Sequence, residues 1–107
     1  MNLQEVIDSL EADPKTQAVV AVLTPFLGAM KREGQEFAND LIQQLLIADF
    51  ASVNELAWSK MTEEERDAYS DVVLKEAMAE VDRQFELQKM AKEMAFKVAS
   101  SLLTMLL

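Results

Sequence analysis

Carboxylates are the side chains of this sequence best placed to do chemistry. Two sets recur at i, i+3, i+7 and so share one helical face: Glu33, Glu36 and Asp40, and Glu64, Asp67 and Asp71. Oxygen rows of this kind could hold a divalent cation or share a proton. Helical di-iron sites, however, use a Glu followed three residues on by His, and the chain has no His. The calcium-loop pattern with its central Gly is also missing. Without His and Cys there is no imidazole base, catalytic thiol, zinc finger, haem or iron–sulfur ligation, or disulfide framework. Lys97 with Ser100 and Ser101 is the nearest approach to an activated nucleophile, and it lies in an apolar stretch suited to packing. No glycine-rich loop is present to cradle a phosphate. The acids therefore read as solvated faces, no metal or cofactor is expected, and the chain is not expected to be an enzyme.

Charge narrows the partners. The 107 residues carry a formal charge of -9. Nucleic-acid binding needs clustered Lys and Arg, and only Lys89, Lys92 and Lys97 come close to a cluster, so direct nucleic-acid contact is not expected. The converse is a candidate. An acidic surface of Glu63, Glu64, Glu65, Asp67, Asp71, Glu76, Glu80 and Asp82 could imitate nucleic-acid charge and occupy a basic groove of a DNA- or RNA-handling enzyme.

The elements that must position these residues are helices. The chain has 2 Gly and 2 Pro, all before residue 35, and the rest is rich in the strongest helix formers. Half the residues are hydrophobic, enough for a single domain with a core. Asn2 and Glu5 form a capping pattern ahead of a helix over about 3–12, and Asp13-Pro14 ends it and opens the next. Pro25, Gly28 and Gly34 predict a kink or turn within 24–35. A central core helix is expected over 36–51, then a short one over about 53–60 capped by Ser52. Thr62 with Glu65 is the clearest start signal, and nothing after it signals a stop.

The expected fold is thus all-α: residues 1–61 as a cluster of short helices, compact around 19–50, and 62–107 as one long helix. A helix over 63–106 would be roughly 66 Å long, against a diameter of roughly 35 Å for a compact domain of this size. Its far half must either break or pack on another chain. Residues 94–107 are apolar around most of the circumference, leaving Lys97, Ser100, Ser101 and Thr104 as one narrow polar face. The expected contact to a second copy or another protein comprises Phe85, Leu87, Met90, Met94, Val98, Leu102 and Met105.

The leading expectation is a non-enzymatic interaction or assembly protein acting as a helical homo-oligomer, a dimer or larger. Its competitor is the acidic inhibitor. The acidic opening residues Met1–Glu5 lack a basic region followed by an apolar run, and no apolar stretch reaches the roughly 20 residues of a membrane span. Both facts point to a cytoplasmic protein.

Overall fold

The computed structural model describes residues 2–106. Local signals set the chain up to Gly34 as expected. The Asn2 carboxamide oxygen accepts from the Glu5 N–H at 2.8 Å and opens α1 (Leu3–Glu11). Asp13 caps α2 (Pro14–Leu23) with Pro at the first turn. Pro25 cannot donate to the helix ladder, and the chain tightens into a 3-10 turn over Thr24–Phe26 before α3 (Leu27–Glu33). Gly34 separates α3 from α4 (Gln35–Leu46) at φ 96°, a conformation that costs any residue with a Cβ.

Two boundaries differ from expectation. The central helix stops at Leu46, because Ala48 turns left-handed and Asp49 takes over capping, accepting from the Ser52 N–H at 3.1 Å. The following helix, α5 (Phe50–Trp58), is therefore capped by Asp49 and starts before Ser52.

The long helix over 63–106 is not formed. The chain makes α6 (Glu63–Ala68), α7 (Asp71–Phe85) and α8 (Lys89–Leu106) instead. The first break falls at Tyr69, which is extended, with its ring set against Phe26 and Trp58. Ser70 then caps α7. The second break falls at Glu86 and Leu87, both left-handed at φ 46° and 70°. Magnitudes explain it. Two left-handed residues cost about 1–2 kcal/mol each, whereas fully burying a side chain such as Phe96 or Leu103 stabilises by about 1.5–3 kcal/mol. Both are fully buried, and folding α8 back also covers Val6 and Val20. Burial outweighs the unbroken helix.

The described residues fit within 32 × 31 × 23 Å, with a radius of gyration of 12.8 Å. The core is not confined to residues 19–50. Leu74, Met78, Val81 and Phe85 from α7 and Phe96 and Ala99 from α8 join Val19, Leu23, Phe26, Leu41 and Leu45 in one cluster. Among the described residues there is no strand, and no helix is long and apolar enough to cross a membrane.

Candidate interaction surface

Helix α8 has two apolar faces, and the fold uses one. Phe96, Ala99 and Leu103 point inward and are fully buried. On the other side Ala91, Met94, Val98, Leu102 and Met105 make a stripe about 80° wide at helical spacing, with Met94 65% exposed and Met105 79% exposed. Met90 borders this stripe, and Leu87 at the joint is likewise exposed. Six of the seven expected contact residues thus lie on the surface. Phe85 does not: it is 3% exposed within the core and carries Lys15 over its ring, so it is removed from the contact set. The sequence pattern groups Phe85 with Leu74, Met78 and Val81, a different phase from Leu87 and Met90, and only the expectation of one continuous helix carries it into the contact; the turn at Glu86 and Leu87 separates the two.

One residue of the expected polar face of this helix is not at the surface. Ser100 is 1% exposed, and its hydroxyl has no hydrogen-bond partner among the described residues. The Thr104 hydroxyl donates to the Ser100 carbonyl at 2.8 Å. The segment therefore buries a serine while it leaves two methionines and a valine in water. Turning the helix to cover them would expose Phe96 and Leu103, so a single copy of this fold buries only one of the two apolar faces.

Beside the stripe runs a shallow, mostly polar cleft of about 380 Å³ between α4 and α8, lined by Gln35, Asn39, Gln43, Glu93, Lys97 and Ser101 over a floor that includes Ile42 and Leu46. Lys97 pairs with Glu93 at 3.5 Å, so the charged side chain nearest the stripe is neutralised within the same helix. An apolar centre with a polar border is the usual anatomy of a protein–protein contact.

The expected acidic surface is divided. Glu65 pairs with Arg32 at 2.5 Å, Asp71 with Lys75 at 3.0 Å, Asp82 with Lys92 at 2.6 Å, and Glu80 with Arg83. Glu63, Glu64 and Asp67 are exposed on α6, while Glu76 is exposed on α7. On α7, Asp71 and Asp82 flank the buried face, and Glu76 and Glu80 lie on its far side. Glu33 pairs with Lys60 at 3.4 Å. Among the described residues no three His, Cys, Asp or Glu side chains converge as a metal site would require.

Sequence reasoning missed the junction of α5, α6 and α7. Asn54 accepts from the Tyr69 hydroxyl and donates to Asp71 at 3.0 Å. Arg66 lies over the Trp58 ring, 5.2 Å from its centroid, and donates to the Trp58 carbonyl at 2.7 Å. Arg32 donates to the Lys60 carbonyl at 2.9 Å as well as to Glu65. Burial, with the Asp71 charge second, pushes the Tyr69 hydroxyl up to about 12. The Arg32 hydrogen bond holds the Glu65 carboxyl below its ordinary value, and the Asn54 and Lys75 hydrogen bonds do the same for Asp71. Only the Thr62 and Glu65 capping box signalled any of this, since the other partners are far apart in sequence.

Comparison with known proteins finds no matching family model, no matching curated protein and no matching solved structure.

Proposed function

We propose that this protein is a non-enzymatic assembly module that associates with a second copy of itself through the outward face of α8. The reading is carried by one observation: α8 buries Ser100 while it exposes Met94, Val98 and Met105. The spacing of the face favours a like partner. Measured from Val98, Met94 and Leu102 lie one turn to either side, and Met90 and Met105 about two turns away. Two such helices laid antiparallel about a two-fold axis at Val98 would set Val98 on Val98, Met94 on Leu102 and Met90 near Met105. That self-complementarity is what an isologous contact requires. A helix of this length buries on the order of 500 Å² per copy, at the lower end of specific interfaces, which fits a micromolar dimer.

Sedimentation velocity at about 1–100 µM tests the proposal, that range bracketing a micromolar dissociation constant. Concentration-dependent dimerisation is expected. Val98→Asp sets two carboxylates against each other at the two-fold axis, and it should leave a monomer with unchanged helical content. A wild-type chain that stays monomeric throughout overturns the reading.

The acidic-inhibitor reading draws less support, because Glu65, Asp71, Glu80 and Asp82 already have cationic partners within the chain. Its signature would be binding to a basic groove that weakens steeply with salt.

A further inference from the structure

The joint between α7 and α8 sets local preference against the native backbone. Glu86, Leu87 and Gln88 are good helix formers between two helices, and the chain has no Gly or Pro from 71 to 106. Yet Glu86 and Leu87 stand in succession at φ 46° and 70°, where side chains with a Cβ are strained. Ala48 at the α4–α5 joint is also left-handed, at φ 58°. That joint differs in its connections: α5 is tied to the chain at both ends, whereas α8 is tied to the other described helices only through the α7–α8 joint.

Everything else that holds α8 is a non-covalent seat. Phe96 and Ala99 join the main core, Leu103 packs with Val6 and Val20, and Lys92 pairs with Asp82 at 2.6 Å. A second copy offers the same seat with the same chemistry. We propose that Glu86 and Leu87 form a hinge through which two copies exchange α8. In the exchanged dimer the joint straightens, α7 and α8 run as one helix of about 54 Å, and Phe96, Ala99 and Leu103 of each copy fill the seat of the other. Every contact of α8 is regained, the Lys92 and Asp82 pair included, and the two left-handed residues of each chain are relieved. Strained short hinges favour this kind of exchange. The exchange does not depend on the outward face, because Met94, Val98 and Met105 stay in solvent throughout.

The test uses the full chain, unfolded in denaturant and refolded at low and at high protein concentration. Refolding at high concentration should trap a dimer that separates only slowly on dilution. Leu87→Gly accepts the left-handed turn and disfavours the straight helix, so it should lower the trapped fraction at least about tenfold. Val98→Asp should leave that fraction unchanged, which separates exchange from association through the outward face. Because the chain has no Cys, Val20→Cys with Leu103→Cys reports directly on the seat. Oxidation should link two chains in the trapped dimer and close within one chain in the monomer. A trapped dimer insensitive to Leu87→Gly, or the absence of any trapped dimer, overturns the proposal.

Discussion

The α5–α6–α7 junction and helix α8 spend their side chains in opposite ways. At the junction, polar and aromatic groups meet one another: Tyr69 with Asn54, Asn54 with Asp71, Arg66 with Trp58, and Arg32 with Glu65. Along α8 the reverse holds. A serine is buried with no partner among the described residues, and large apolar groups face water. Most of the junction's groups are thus satisfied within the fold, although Trp58 stays 49% exposed beneath Arg66. The outward face of α8 does not follow from folding, which is why the functional reading rests there.

The largest expected effect separates the two faces of α8. Phe96→Ala removes a fully buried ring and should cost about 3–5 kcal/mol in denaturant unfolding. Val98→Ser, two residues away on the outward face, should change monomer stability by less than about 0.5 kcal/mol while weakening association. Equal losses at the two positions would show that the outward face is packed within the monomer, and the contrast between the regions would fail.

The junction is tested next, through its own chromophore. Tyr69 is the single tyrosine, so an absorbance titration reads it alone. Its ionisation is expected at about 12, raised by burial from the ordinary 10.0. Since the folded value is the higher one, this contribution to stability is complete below pH 10 and is lost as pH rises toward 12. Asn54→Ala removes the partner of both Tyr69 and Asp71, and it should cost about 1–2 kcal/mol. A Tyr69 midpoint near that of an unfolded chain would mean that the junction is open to solvent.

What the sequence revealed and concealed follows from the range of each interaction. The Asn2, Asp13 and Thr62 caps are contacts within three residues, and each forms as the spacing predicts. The outward stripe of α8 was legible too, because helical periodicity depends on local repeat alone. The breaks at Tyr69 and Glu86 were not, since no Gly or Pro marks them. Tyr69 is held by Asn54, 15 residues away, and α8 turns back to bury Leu103 against Val6. Such contacts override propensity without leaving a local sign. Ser100 shows the same limit: the pattern put it on a polar surface, and packing around Phe96 and Leu103 turned it inward.

The smallest effect bears on how firmly α6 is held. Gly28 lies so close to Glu65 that a Cβ there would collide with the carboxylate, so Glu65 is seated tightly against α3 while it pairs with Arg32. The Arg32 hydrogen bond is the main cause that holds the Glu65 carboxyl below its ordinary 4.5. A depressed folded value means that the contribution is present above 4.5 and is lost as pH falls through the lower folded value. Because the pair is partly solvent-exposed, the stability at stake is only about 0.5–1 kcal/mol. Glu65→Gln should therefore unfold slightly more easily than wild type near neutral pH, with the gap closing on acidification. A gap that persists unchanged in acid would assign the loss to the packing and capping of α6, and the ion pair would drop out of the junction.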